Sequence, residues 1–112
     1  MNVSYEGIGC QTVTVPTGNC VAGQVCKIGV LGKAEKCSDG EAFCGVVVSA
    51  EKLNAAVQIE GFVEVSYTGS IPARGYTKLS CNGAGGVKVD TAGKEYLVVA
   101  VDHVAAKVTI KL

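Results

Sequence analysis

The chain has 112 residues, of which 48% are hydrophobic and 18% charged, and ten basic residues balance ten acidic ones. This length predicts one domain that can bury a core, and the hydrophobic content argues against a disordered chain. Nucleic acids and anionic membranes usually bind basic surfaces, so neither is an expected partner. The first ten residues lack the pattern of a signal peptide, and no run of about 20 apolar residues predicts a membrane helix. We therefore expect synthesis in a reducing cytoplasm.

Strand patterns begin at residue 11 and are separated by glycines and by Asn, Asp and Ser clusters. Residues 11–15 alternate Thr with Val and predict the first strand. Residues 24–30 predict the second, with Cys26, Ile28 and Val30 on one face, and residues 32–37 predict its hairpin partner.

The apolar run FCGVVVS at 43–49 predicts a strand that is buried on both sides or one that crosses the core. Residues 50–55 are long enough for one helical turn only. The next stretch, AVQIEGFVEVSYTG at 56–69, alternates apolar and polar residues until Phe62 breaks the pattern. Twelve residues would span about 40 Å, which is long for one strand. Because glycine inside a strand often marks a bulge or bend, we expect two half-strands or one strand bent at Gly61 and Phe62.

The remaining strands are predicted at 77–81, 87–90, 95–102 and 107–112, with a glycine-rich turn at 82–86. The last two should form an antiparallel pair. In the final strand, the inward residues are Val108, Ile110 and Leu112, and the outward ones are Lys107, Thr109 and Lys111. The sequence as a whole predicts an all-β fold: a single-domain antiparallel β-sandwich or β-barrel of about 8–10 short strands, with little or no helix. This domain should span residues 11–112, and residues 1–10 should form an N-terminal arm.

Residues suited to catalysis do not assemble into a recognisable site. His103 is the only histidine and follows Asp102 at a strand end, where we expect a turn. Glu60 and Glu64 are about 13 Å apart in one extended strand, beyond the separation of a glycosidase pair. The sequence NGAGG at 82–86 lacks the lysine and the following helix of a phosphate loop. We therefore predict no catalytic residue, no cofactor and no enzymatic activity.

Six cysteines are present: Cys10, Cys20, Cys26, Cys37, Cys44 and Cys81. No Cys-x-x-Cys spacing occurs, which argues against a zinc ribbon or a thioredoxin motif. The favoured interpretation is buried free cysteine acting as a small hydrophobe. Disulfides and a metal site remain the alternatives.

Residues 1–10 place Val3, Tyr5 and Ile8 among glycines, outside every predicted strand. The segment is either an arm that reaches a neighbouring subunit or a frayed end. On the first interpretation these three side chains contact another subunit or a larger assembly on which the chain docks. An all-β chain also has strand edges that pair with neighbours unless they are blocked, and only two prolines are available to block them.

Short motifs follow one another in a fixed order along residues 11–112. They are Thr12-Val13-Thr14-Val15-Pro16, Ala22-Gly23, Gly29, Gly45-Val46-Val47, Ile59-Glu60-Gly61-Phe62-Val63, Ile71 with Gly75, Gly85-Gly86-Val87, and Val108-Thr109-Ile110-Lys111-Leu112. This order resembles that of the small capsid decoration proteins of tailed bacteriophages, also called cement or head-stabilising proteins. The six cysteines and residues 1–10 lie outside the pattern.

The resemblance implies a non-enzymatic protein that binds the outer surface of the mature capsid and stabilises it. Proteins of this kind often act as trimers and bridge neighbouring major-capsid subunits. The implied partners are the major capsid protein lattice and other copies of the chain, and the implied location is the exterior of the virion. The alternative is a β-sandwich binding or adhesion module, for example a carbohydrate-binding one, although the chain has no tryptophan for an aromatic platform.

Overall fold

Residues 10–112 are described by the structure, a computed structural model, and they form ten β-strands and no helix. The strands are β1 (Gln11–Pro16), β2 (Val25–Ile28), β3 (Ala34–Lys36), β4 (Gly45–Ala50), β5 (Asn54–Glu60), β6 (Phe62–Thr68), β7 (Gly75–Cys81), β8 (Val87–Val89), β9 (Lys94–Asp102) and β10 (Lys107–Lys111). The predicted all-β fold is confirmed. In the part of the chain described, no helix is long and apolar enough to cross a membrane.

The first five strands form an antiparallel sheet in the order β1-β5-β4-β2-β3. The segment that follows β1 reaches the opposite side of this sheet, where Thr17 forms a parallel bridge with Ala34. The backbone N–H of Gly18 also donates to the Ala34 carbonyl at 3.0 Å. The sheet thus curls around a small apolar cluster. Its buried members are Cys20, Cys26, Ala34, Val47, Ala55 and Val57.

The last five strands close into a barrel in the order β10-β6-β8-β7-β9, with β9 pairing back to β10. Four of the pairings are antiparallel, and the pairing of β6 with β8 is parallel. Closure gives every strand of the barrel two neighbours, so the barrel has no free edge.

Gly61 separates the sheet from the barrel. Strand β5 ends at Glu60, β6 begins at Phe62, and Gly61 has a φ of 96°. That backbone conformation is open to glycine and costly for residues with a Cβ. The predicted break at this point is confirmed, and it carries the chain from one sheet to the other.

One hydrophobic core joins the two sheets. Val25 and Val46 of the five-stranded sheet pack in the same cluster as the barrel residues Leu79 and Ile110. The Phe43 and Tyr96 rings stack with centroids 4.8 Å apart. The shared core is what makes the chain a single domain.

Several faces differ from the sequence prediction. Strand β2 ends at Ile28, and the Gly29 N–H donates to the Lys33 carbonyl at 2.9 Å, closing a turn. Ile28 and Val30 are therefore 42% and 104% exposed, although they were predicted to share one face with Cys26, which is fully buried. Val48 is 56% exposed, although its strand was predicted to be buried on both sides or to cross the core. The pairing with β5 steps from Val47 to Ser49, so Val48 lies in a bulge.

Two further expectations are wrong. Thr109 was predicted to face outward, but it is only 5% exposed. Strand β10 is paired on both sides and its register with β9 shifts after Thr109, so strict alternation fails there. Residues 51–53 form a tight connection and no helical turn, since the Glu51 N–H donates to the Asn54 carbonyl.

Tyr96 gives the shared core a pH dependence. Its hydroxyl donates to the Phe43 carbonyl at 3.3 Å, and burial raises its pKa to about 12 from 10.0. Because the raised pKa favours the neutral form in the folded chain, its contribution is complete below pH 10 and is lost as pH rises toward 12. We expect Tyr96→Phe to lower the free energy of unfolding by about 1 kcal/mol at neutral pH. As the pH rises toward 12, the free energy of unfolding of this variant should fall less than that of the wild type. Urea unfolding across this range measures both effects. Tyr76→Phe changes an exposed tyrosine and should behave as wild type. If Tyr96→Phe lost as much stability at alkaline pH as the wild type, Tyr96 would not be the source of the pH dependence.

Candidate functional site

The predicted contact residues Val3, Tyr5 and Ile8 lie outside the described residues. The described chain begins at Cys10, and β1 starts at the next residue. The segment that carries the predicted contacts is thus joined directly to an outermost strand of the five-stranded sheet. Their role stays a prediction.

The outer edge of β1 is the first candidate contact surface. The Thr17 N–H donates to the Leu53 carbonyl at 3.1 Å, so Thr17 points its backbone groups toward β5. Because these directions alternate along a strand, Val13 and Val15 also point theirs toward β5, while Thr12 and Thr14 point theirs away. At the end of β1 this outer side is occupied by the Thr17–Ala34 bridge and the Gly18–Ala34 hydrogen bond. At Thr12 and Thr14 no other backbone segment within residues 10–112 pairs with it.

The opposite outermost strand, β3, is covered by the chain itself. The Lys36 N–H donates to the Asn19 side-chain oxygen at 2.8 Å, and Thr17 bridges to Ala34. The Thr17–Ala34 bridge also covers the end of β1, so the part of its outer edge that the described residues leave open is at Thr12 and Thr14; we call this part the open edge.

Exposed apolar side chains lie in two connections of the five-stranded sheet, the β4–β5 loop and the β2–β3 turn. Leu53, which lies opposite Thr17, is 76% exposed. The turn before Ala34 carries Val30 and Leu31, which are 104% and 76% exposed. We call Val30, Leu31 and Leu53 the apolar end; together with the open edge it offers main-chain and apolar contacts to a neighbour.

The residues tested for catalysis are placed apart or serve as structure. His103 is exposed in the β9–β10 turn, where one carboxylate oxygen of Asp102 accepts the N–H groups of Val104 and Ala105, each at 3.1 Å. Glu60 and Glu64 are exposed on different strands, on either side of Gly61.

The glycine-rich segment 82–86 connects β7 to β8, as predicted. The Asn82 side-chain oxygen accepts the N–H groups of Ala84 and Gly86 at 2.8 and 3.1 Å. Two of the amides that a phosphate would need are therefore satisfied inside the turn. This geometry supports the interpretation as a connecting turn.

A shallow groove lies on the barrel wall and has a volume of about 290 Å³. Its lining includes Tyr76, Lys94 and Lys111. Tyr76 is 72% exposed, and the Lys94 amino group lies 5.5 Å from the Tyr96 ring centroid. An exposed ring beside charged groups suits a polar ligand better than an apolar one.

The six cysteines are free thiols, and four of them, Cys20, Cys26, Cys37 and Cys81, are buried as expected. Cys10 and Cys44 are exposed, which corrects the expectation for those two. The sequence prediction treated the thiols as separate core residues. The structure instead brings four of them into two contacting pairs.

Cys26 and Cys44 form the first pair. Gly45 is the register partner of Cys26, and the Cys44 N–H donates to the Cys26 carbonyl at 2.9 Å. Two consecutive residues therefore face one residue of β2, which is the arrangement of a β-bulge. Their side chains are in hydrogen-bonding contact. Cys26 is fully buried, while Cys44 is exposed.

The Cys26 thiol donates to the Cys44 sulfur, and this lowers the pKa of Cys44 to about 7 from 9.0 although burial opposes the shift. The backbone N–H of Ile28 adds to the effect. The same contact, together with burial, raises the pKa of Cys26. Cys44 is thus the member of the pair that becomes a thiolate at neutral pH.

Cys37 and Cys81 form the second pair, beneath the loop that joins β3 to β4. Their thiols are also in hydrogen-bonding contact, which lowers the pKa of Cys37 and raises that of Cys81. Both are buried, at 6% and 0% exposure. Glu41 of this loop forms an ion pair with Lys27 at 2.9 Å, and its carbonyl accepts the Cys81 N–H at 2.9 Å. The loop thereby ties the five-stranded sheet to the barrel.

Within residues 10–112 no group of three or more His, Cys, Asp or Glu side chains is arranged to hold a metal ion. The paired cysteines are distant in sequence, so no local spacing could have revealed them. The sequence could predict an open strand edge only because all-β chains in general have strand edges. Comparisons with family models, with curated proteins and with solved structures found no match to this chain.

Proposed function

We propose that this chain is a non-enzymatic structural protein that binds the outer surface of a mature bacteriophage capsid and stabilises it, as a homotrimer made in the host cytoplasm. The observation that carries the proposal is the open outer edge of β1, which continues directly from the segment containing Val3, Tyr5 and Ile8. The motif order along residues 11–112 supplies the choice of capsid as partner.

The open edge offers the backbone groups of Thr12 and Thr14 to a strand of a neighbour. Val30, Leu31 and Leu53 add exposed apolar surface that water disfavours. A formal net charge of zero suits docking on protein better than docking on nucleic acid. Many copies bound to one lattice would stabilise the expanded capsid by mass action and avidity.

The test is co-sedimentation with expanded, DNA-free capsids of a tailed bacteriophage, built from the major capsid protein that the proposal makes its partner. We expect the wild-type chain to bind expanded shells and not unexpanded ones, and light scattering to show a trimer. Replacing Val3, Tyr5 and Ile8 together by serine should weaken binding by about tenfold or more, because three apolar side chains leave the contact.

Replacing Val104, which is 88% exposed in the β9–β10 turn, by serine is the matched control and should bind as wild type. Equal binding to expanded and unexpanded shells would contradict the proposal. Full binding by the triple variant would contradict the proposed role of the N-terminal segment.

The groove around Tyr76 favours a second candidate, a carbohydrate-binding module. An exposed aromatic ring flanked by Lys94 and Lys111 provides stacking and hydrogen bonds for a sugar. Retention on polysaccharide columns that is lost in Tyr76→Ala, together with no capsid binding, would replace the first proposal by this one.

A further inference from the structure

The Cys26–Cys44 pair has the three features of a reversible dithiol site. The two side chains are in hydrogen-bonding contact, Cys44 is an exposed residue, and Cys26 is fully buried. Because the two residues face each other across a bulge between β2 and the start of β4, their contact is set by backbone pairing. We propose that Cys44 and Cys26 form a disulfide by exchange with small-molecule disulfides, with Cys44 as the attacking residue and Cys26 as the resolving one.

The exchange takes two steps. The Cys44 thiolate attacks one sulfur of a small disulfide such as oxidised glutathione; a mixed disulfide forms, and one small thiolate leaves and takes up a proton. Cys26 then loses its proton, and its sulfur attacks the Cys44 sulfur. The Cys26–Cys44 bond forms as the second small thiol leaves. Two cysteine thiols are oxidised by two electrons, and one small disulfide is reduced to two thiols.

The order of attack follows from exposure and ionisation. Cys44 can meet a molecule from solvent, and its pKa of about 7 makes it a thiolate at neutral pH. Cys26 is fully buried and its raised pKa keeps it protonated until the mixed disulfide has formed beside it.

The Cys37–Cys81 pair provides an internal comparison. It has the same thiol contact, but both of its residues are buried. A small disulfide can reach it only after the covering loop, which the Lys27–Glu41 ion pair holds, has opened. Disulfide formation should therefore occur first between Cys26 and Cys44.

The experiment uses the full chain with Cys10→Ser, which removes the other exposed thiol. The reduced protein is mixed with oxidised glutathione, quenched with acid, alkylated, and followed by intact mass and peptide mapping. We expect rapid loss of two hydrogens and a Cys26–Cys44 cross-linked peptide, at a rate at least about tenfold above that of Cys37–Cys81.

Two variants separate the roles. In Cys26→Ala, Cys44 should stop at the glutathione mixed disulfide, because the resolving thiol is absent. In Cys44→Ser, whose changed side chain is exposed, Cys26 should stay unmodified. The buried Cys20→Ser is the control and should close the Cys26–Cys44 bond at the wild-type rate. A stable mixed disulfide in the parent chain, a first cross-link at any other pair, or modification of Cys26 in Cys44→Ser would overturn the proposal.

The pH profile adds a readout that packing alone would not give. Alkylation of Cys44 by iodoacetamide should rise about tenfold between about pH 6 and about pH 8, following a midpoint near 7. In Cys26→Ala the midpoint should move upward, because the donor that lowers the pKa has gone. An unchanged midpoint in that variant would overturn the pairing. The result stands apart from capsid binding, since neither thiol belongs to the open edge or the apolar end.

Discussion

Thr14→Pro is expected to weaken self-association and capsid binding strongly while the single chain stays folded. Thr14 lies in the middle of β1 and points its backbone N–H away from β5. Proline removes that donor and places a ring where a neighbouring strand would lie. Together these losses should cost about 3 kcal/mol of association, or about a hundredfold in Kd.

The matched control is Thr14→Ala, which keeps the outward N–H and removes the exposed hydroxyl. It should associate and bind as wild type. The variant Val15→Pro removes an N–H that points toward β5, so it should lower the stability of the single chain as well. Light scattering, capsid co-sedimentation and urea unfolding distinguish the three.

If Thr14→Pro associated like Thr14→Ala, the outer edge of β1 would not be a contact, and the proposed function would lose its carrying observation. Equal destabilisation of Thr14→Pro and Val15→Pro would instead contradict the assigned direction of the backbone groups. The first outcome thus tests the contact at the outer edge, and the second tests the direction of the backbone groups.

Local patterns in the sequence determine much of this fold. Alternation and turn residues predict the strands, and the glycine at 61 predicts the break between β5 and β6 because that backbone conformation favours glycine. Alternation does not say which strand lies beside which. The parallel pairing of β6 with β8 joins residues distant in the chain, so closure of the barrel could not be predicted.

The errors in predicted faces arise at bulges and turns. Val48 and Thr109 each adjoin a register shift, where one strand gains a residue over its partner. Ile28 and Val30 continue a strand-like pattern into a turn, and only the pairing with β3 shows where the strand stops. In each case the neighbouring strand, and not the local sequence, decides which side is buried.

The candidate sites were less predictable than the fold. The open edge depends on which strands are outermost, and the contact of Cys26 with Cys44 depends on a bulge. Both are properties of pairing across the sheet. The number and spacing of the cysteines therefore left free thiols, disulfides and metal binding as alternatives. In the structure, Cys26 contacts Cys44 and Cys37 contacts Cys81.

Gly45→Ala is expected to destabilise the chain by about 3 kcal/mol or more, lowering Tm by roughly 10 °C or more. Gly45 is buried at the start of β4, between β2 and β5. A Cβ there would overlap the backbone carbonyl oxygen of Gln58 and would lie 3.1 Å from a methyl carbon of Val57. The carbonyl cannot move aside, because Gln58 is held in register with Val46 on one side and Thr12 on the other.

Gly69→Ala separates this overlap from the ordinary cost of replacing glycine. Gly69 has a φ of 76°, but nothing lies within 4 Å of a Cβ built there. Its replacement should cost only the left-handed backbone penalty, about 1 kcal/mol. Urea unfolding followed by circular dichroism compares the two variants. Equal losses would mean that the sheet can open at β4 to admit a methyl group, and the register that brings Cys44 against Cys26 would then be looser than the structure places it.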